Sequence, residues 1–258
     1  MLYVIYLLAG LVGGVLIGMA GLTAAMVLTP ILAGICGWAG YDAVTMSLIA
    51  NVPSAIVTSY TYYKNGNVDM KRGSSVSVSA FVGAVAGSFL EYLFSKVSEN
   101  GVSYLVILGN LFMALKFLCP TGKKKETGLT DSKKAAKETC KEFMAIAFSF
   151  LIGVECGFMG SAGGMMMLMV LTLLLGMNTK LAVGTGSVVM TLVALTGAVS
   201  HLLMGGKAEL FPAAIITVAC TVGAVGSARF ANRVEEKVMS RCAGVILILV
   251  SVVSLVLG

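Results

Sequence analysis

Charge is what this sequence has least of. Only 12% of its 258 residues are Asp, Glu, Lys or Arg, where a soluble domain carries about a quarter. Hydrophobic residues make up 58%, and the mean hydropathy is +0.96. The shortage of charge extends over nearly the whole chain, which excludes a soluble domain with one anchor. A hydrocarbon core of ~30 Å takes about 20 apolar residues per helical crossing, so there is room for about eight to ten membrane segments. No sizeable domain outside the membrane fits beside them. Histidine and tryptophan occur once each. There is no G-x-S-x-G and no H-E-x-x-H, which argues against an intramembrane hydrolase. The six cysteines (Cys36, Cys119, Cys140, Cys156, Cys220, Cys242) include no C-x-x-C and no close pair. They give no signal for a disulfide framework or a metal site, and no cofactor is expected. The net charge of +6 reads as loop lysines that set orientation in a membrane, with no nucleic-acid partner. Met1-Leu2-Tyr3 starts without a basic stretch, so the first segment is expected to be retained.

Glycine is abundant, at 31 residues. The first apolar run, 2–38, contains no charge and carries Gly10, Gly13, Gly14, Gly18 and Gly21. As one straight helix it would reach ~55 Å at 1.5 Å per residue, too long for a bilayer. It must break or turn back, and Gly18-Met19-Ala20-Gly21 is the natural place. Apolar segments follow at 42–63, 74–94 and 101–118. After a polar stretch, the pattern restarts with 143–177, 181–204, 210–228 and 242–257. The predicted organisation is a first membrane repeat over 1–118, a Lys-rich cytoplasmic linker over 119–142 and a second membrane repeat over 143–258.

The restart is an internal duplication. Gly14-x3-Gly18-x2-Gly21 matches Gly153-x3-Gly157-x2-Gly160 at an offset of 139. Ser47 matches Ser187, Gly66-x2-Asp69 matches Gly206-x2-Glu209, and Val82-Gly83-Ala84-Val85 matches Val222-Gly223-Ala224-Val225, all at 140. If each long first stretch is a hairpin of two short arms, 16 of the 18 basic residues fall on one side of the membrane. A single crossing in its place gives a split of 12 to 6. The positive-inside rule prefers the hairpin. The fold class is therefore an all-α polytopic membrane protein with two inverted-topology repeats and Gly-broken hairpins. Both termini are expected outside and the linker inside a plasma membrane. The charge rule does not separate re-entrant arms from full crossings.

Inverted repeats with interrupted helices suit a transporter, because each half can adopt the conformation of the other. A broken helix also exposes backbone N–H groups and a positive dipole end, which favour an anion. Packing of small residues is the structural alternative for the glycines. Ser47, Asn51, Ser54 and Thr58 share one helix face, with Pro53 among them to kink the helix and free a carbonyl. Either they line a path or they serve interhelical hydrogen bonding. Gly184-Thr185-Gly186-Ser187 and Thr191 are the counterpart in the second half. Glu155, between Gly153 and Gly157, and His201 are the candidates for proton coupling, because ionisable groups inside a membrane are functional by default. A carboxylate beside an anion site repels the anion unless protonated. The Met165-Met166-Met167-Leu168-Met169 run points all around a helix and reads as packing rather than copper binding.

Taken together, these segments resemble the TauE/SafE sulfite exporter family of membrane permeases over essentially the whole chain. In that family each half opens with a Gly-rich segment, continues into a helix with a small Ser/Thr-rich face and then a G-x-V-D-like turn. Here these are Gly14 to Gly21, Ala43 to Thr58 and Gly66-Asn67-Val68-Asp69. The second copy gives Gly153 to Gly164, Ala182 to Ser187, His201 and Gly206 to Glu209. Leu22-Thr23-Ala24-Ala25 departs from the glycines usual in the first copy, which bears on the substrate more than on the fold. The resemblance implies export of a small sulfur-containing anion such as sulfite or an organosulfonate. The expected anion-binding residues are Gly18, Gly21, Thr23, Asn51, Thr58, Gly160, Ser161, Gly163, Thr185, Ser187 and Thr191. The expected partners are the substrate anion, the lipid bilayer and a coupling ion, proton or sodium; homo-oligomerisation is left open. A carrier or channel for another small anion is the main alternative, and an intramembrane enzyme is a more distant one.

Overall fold

A computed structural model describes residues 2–95, 131–160, 163–235 and 238. The helices are α1 (Leu2–Ala20), α2 (Ala25–Pro30), α3 (Gly40–Lys64), α4 (Met70–Ser95), α5 (Asp131–Met159), α6 (Gly163–Met169), α7 (Thr179–Leu203) and α8 (Leu210–Arg233). Two π-helical turns, Ile31–Ile35 and Val170–Leu174, extend α2 and α6. Every described element is helical. Among the described residues, five helices are long and apolar enough to cross a membrane, namely α1, α3, α4, α7 and α8. Leu203, Leu210 and Phe143 are more than 70% exposed, as lipid-facing side chains are. The protein is a polytopic helical membrane protein. The predicted segments 101–118 and 242–257 lie outside the described residues.

The polar stretch ahead of the second half does not stay a loop throughout. Helix α5 begins at Asp131, so residues 131–142 form its first three turns. Their Lys, Ala and Glu content favours helix, a preference that a reading based on polarity alone overlooks. Residues 119–130 lie outside the described part. Helix α3 continues through Pro53 without interruption. At the start of α7, the Asn178 side chain accepts from the Leu181 amide at 2.8 Å and caps the helix.

Helices α3 and α7 form the centre, with 61% and 67% of their apolar windows buried against 44–50% for α1, α4 and α8. They run antiparallel: Tyr41 stacks on His201 at one end, Leu48 meets Gly197 midway, and Tyr62 meets Gly184 at the other end. Around this centre, α1 lies parallel to α8 and α4 lies parallel to α5. Glycine makes both pairings possible. A Cβ at Gly10 would stand 2.8 Å from the Ile216 carbonyl oxygen, and one at Gly14 would overlap the Cys220 carbonyl. In the other pair, a Cβ at Gly153 would overlap the Ala80 carbonyl and one at Gly157 the Ala84 carbonyl. Glycines four apart share one helix face and let backbones touch. The partners correspond at the repeat offset, since Ala80 and Ala84 are equivalent to Cys220 and Ala224. Each half thus lends its first helix to the last described helix of the other half.

Candidate functional site

Both glycine breaks are turn-back points. Helix α1 ends at Ala20, and Gly21 takes a left-handed φ of 64°. Helix α5 ends at Met159, and Gly160 takes a φ of 69°. An L side chain rarely adopts that conformation, and glycine does so freely. After the first break the chain retraces its path. Gly18 lies level with Tyr62, whose hydroxyl donates to the Gly18 carbonyl at 3.1 Å. The Ala24 amide donates to Asn51 Oδ1 at 3.0 Å, and Thr29 donates to Ser47 Oγ at 3.2 Å. Cys36 and Trp38 return to Tyr6, near the start of α1. The returning arm, Ala25–Ile35, is shorter than 18 residues, about half the length that a crossing needs. It therefore re-enters and leaves on the side from which α1 started.

The two breaks meet. A Cβ at Gly164 would overlap the Gly21 carbonyl and stand 2.7 Å from the Leu22 Cα. A Cβ at Gly160 would lie 3.4 Å from the Ala25 methyl. The walls are supplied by equivalent residues of the central helices: Val183 and Ser187 against Gly21, Val44 and Leu48 against Gly160, an offset of 139 that pairs Ser187 with Leu48 where the sequence motifs paired it with Ser47. Leu22, Thr23 and Ala24 are fully buried. The first amides of a helix lack intrahelical partners. At the first break Asn51 satisfies one of them, the Ala24 amide.

The far ends of the central helices anchor the breaks. His201, on α7, is equivalent to Tyr62 and does the same for the second break, with Nε2 3.1 Å from the Gly157 carbonyl. A carbonyl oxygen only accepts, so this contact places a proton on Nε2. His201 Nδ1 lies 3.2 Å from Thr45 Oγ1, and that hydroxyl already donates to the Tyr41 carbonyl at 2.8 Å. It can accept from Nδ1–H or turn to donate to Nδ1. Glu91 Oε2 stands 2.8 Å from Nε2, with both side chains wholly buried. It lies off the hydrogen-bond direction, so the pairing is an ionic contact rather than an aligned hydrogen bond. Tyr41 stacks flat on the imidazole with centroids 4.8 Å apart.

A family model for the sulfite exporter TauE/SafE matches residues 6–254. This chain belongs to the TauE/SafE family. It is similar to the "Probable membrane transporter protein YunE" of Bacillus subtilis (strain 168), 25% identical over 97% of this chain and 96% of that protein. No solved structure matches. The chain is thus a multi-pass membrane protein of a transporter family.

In this TauE/SafE protein the structure brings Gly21, Thr23, Asn51, Gly160 and Ser187 together around the meeting breaks. Gly163 belongs there too, its Cα packed on Cys156 such that a Cβ would come within 3.0 Å of the cysteine's own. Gly18 packs on Ala224 and Ser227 and receives the Tyr62 bond. Thr58 is fully buried, and its hydroxyl has no partner among the described residues. Thr191 is half-buried and donates to the Ser187 carbonyl at 2.8 Å. Thr185 also serves a packing role: its hydroxyl accepts from the Asp69 amide at 2.9 Å and its methyl lies against Gly73, joining α7 to the turn before α4. Ser161 lies outside the described residues. Glu155 is half-buried on α5. Clefts of about 390 and 210 Å³ open beside Asp69 at the Lys64 end, and neither is lined by the breaks.

Sequence reasoning missed Glu91. The signal was available, because Glu91 interrupts the apolar run Ser88-Phe89-Leu90-Glu91-Tyr92-Leu93-Phe94, and an ionisable group there is a functional candidate. The partner role of Thr45, and the equivalence of Tyr62 and His201, depend on packing that no linear motif encodes.

Proposed function

We propose that the protein is a secondary transporter that exports a small sulfur-containing anion, such as sulfite or an organosulfonate, across the plasma membrane. The observation that supports this most directly is the meeting of two glycine breaks between the antiparallel helices α3 and α7. The helix ends that meet there favour a negative charge. Gly18, Gly21, Thr23, Asn51, Thr58, Gly160, Gly163, Ser187 and Thr191 surround or adjoin the binding place, and Thr58 contributes a buried hydroxyl with no partner among the described residues. Thr185 acts from the edge by holding the α4 turn. Alternating access follows if the two halves exchange roles, since equivalent helices run in opposite directions. Lys64, Arg72, Lys180 and Arg233 lie at one end of the helices, and that end with the linker is the cytoplasmic one.

The test is efflux from proteoliposomes loaded in turn with labelled sulfite, sulfoacetate and methanesulfonate. Saturable efflux of at least one, with competition among them, is the expected result. Folded protein that moves none of them rules out the substrate class. Flux that never saturates would indicate a channel.

A further inference from the structure

The buried Glu91–His201 pair is not needed to hold the second break. At the first break Tyr62 meets the Gly18 carbonyl with a neutral hydroxyl, and its neighbour from the last helix is Ala231. Ala231 is the residue equivalent to Glu91. An ionisable pair therefore stands on one side of the pseudo-symmetry where an apolar contact suffices on the other. Burying two charged groups is costly, and pairing them is often no more stabilising than an apolar replacement. The pair calls for a role other than stability.

Its hydrogen-bonding partners suit a ring that takes up and releases a proton. Nε2 faces the Gly157 carbonyl and donates to it, whereas Nδ1 faces the Thr45 hydroxyl, which can donate to Nδ1 or, when turned to the Tyr41 carbonyl, accept from Nδ1–H. A proton added at Nδ1 makes His201 an imidazolium beside the Glu91 carboxylate. The pair with this proton is neutral; without it the pair carries one negative charge in the protein interior. Glu91 Oε1 has no partner among the described residues, so nothing else described offsets that charge. The other titratable groups near the pair on the elements packed around it are Tyr41 and Asp42 on α3, Tyr92 on α4, Glu155 and Cys156 on α5 and Lys207 in the turn after α7. Asp42 is engaged by the Lys207 amide at 2.8 Å. Gly157 lies three residues before Gly160, so the pair stands directly against the second break.

We propose that Glu91 and His201 form the proton-binding site of the transporter, and that the anion crosses together with the proton this pair holds. This rests on the transporter reading. With the proton present, the pair is neutral and admits an anion. With it absent, the Glu91 carboxylate repels the anion. The two ligands favour each other reciprocally, as linked sites must. The coupling ion is therefore a proton and not sodium.

The experiment measures anion uptake and internal pH together, in proteoliposomes of the full chain with a trapped pH dye. Methanesulfonate, sulfoacetate and sulfite are supplied in turn. Methanesulfonate is the most direct probe, since it carries no proton of its own near neutral pH. The wild type is expected to acidify the interior in proportion to the anion taken up. Glu91→Gln and His201→Gln are expected to lower the acidification per anion moved. Acidification per anion unchanged in either folded variant overturns the proposal, as does wild-type uptake without acidification. If no anion moves at all, the transporter reading fails and takes this one with it. A second arm needs no variant, because the chain has one histidine. In ¹⁵N-histidine NMR at fixed pH, adding a transported anion should increase the doubly protonated imidazole; an unchanged spectrum overturns the proposal.

Discussion

At the Lys64 end of the molecule a phenol holds the carbonyl of Gly18; at the opposite end an imidazole holds the carbonyl of Gly157. The distances agree, at 3.1 Å each, and the residues are related by the repeat offset. What surrounds them differs. Tyr62 sits in an apolar cluster with Met19, Val183, Ala228 and Ala231, whereas His201 sits against Glu91, Thr45 and Tyr41. The comparison separates what the architecture requires from what has been added. A donor to the carbonyl near each break is structural and occurs twice. An ionisable donor with a buried counter-ion occurs at one end.

The largest effect should be common to both ends. Gly14→Leu and Gly153→Leu each drive a side chain into a carbonyl of the parallel partner helix. Overpacking costs about 1–3 kcal/mol where neighbours can yield, and backbone cannot. Each is expected to abolish recovery of monodisperse protein in size-exclusion chromatography. A large effect in one half and none in the other would break the equivalence of the two pairings.

Next in size is a difference between the ends. His201→Ala leaves Glu91 buried without its counter-ion and should cost about 3 kcal/mol. Tyr62→Phe removes one hydrogen bond and should cost about 1 kcal/mol. Thermal unfolding in detergent measures both, and equal losses would contradict the distinction. The double variant Glu91→Ala with His201→Tyr copies the first end onto the second. Its stability should return to within about 1.5 kcal/mol of the wild type, since apolar replacement of a buried pair is often neutral.

The smallest effect concerns Asn51 and Thr191, candidate binding residues midway along α3 and α7. Asn51→Ala removes the side-chain acceptor of the Ala24 amide and should cost about 1 kcal/mol, as helix caps do. Thr191 bonds only to its own helix, at the Ser187 carbonyl. Thr191→Ala should change stability by less than about 0.5 kcal/mol. A calorimetric melt that ranks them the other way would show that the second break depends on Thr191 more than the first depends on Asn51.

The breaks were legible in the sequence because their cause is local. A charge-free run too long for one crossing must turn, and glycines spaced at 14, 18 and 21 show where. The expectation of a duplication rests on the same kind of local signal, matched short motifs in one order. Packing partners were not. Glycines at 10, 14 and 18 define a flat face but do not say which helix meets it, and the partner proved to be the last described helix of the other half. Thr185 read as a path residue because it follows a glycine, whereas its hydroxyl holds the Asp69 amide. The π turns after α2 and α6 leave no composition signal. They appear only as the amides of Cys36 and Leu175 reaching back five residues to Ile31 and Val170, at 3.2 and 3.3 Å.

The crossed pairing of the outer helices has a consequence for biogenesis. Helix α1 is the first described helix to leave the ribosome, yet its glycine face fits α8, as in the Ser227–Gly14 bond between residues 213 apart in sequence. Contacts of such separation form late. During synthesis α1 must wait in the bilayer with its flat face turned to lipid or to a chaperone while nearly the whole chain is made. A ribosome halted after the first half would leave two unmatched helix faces, those of α1 and α4. The same crossing means that the halves, expressed as two separate chains, carry complementary faces and should find each other within the membrane.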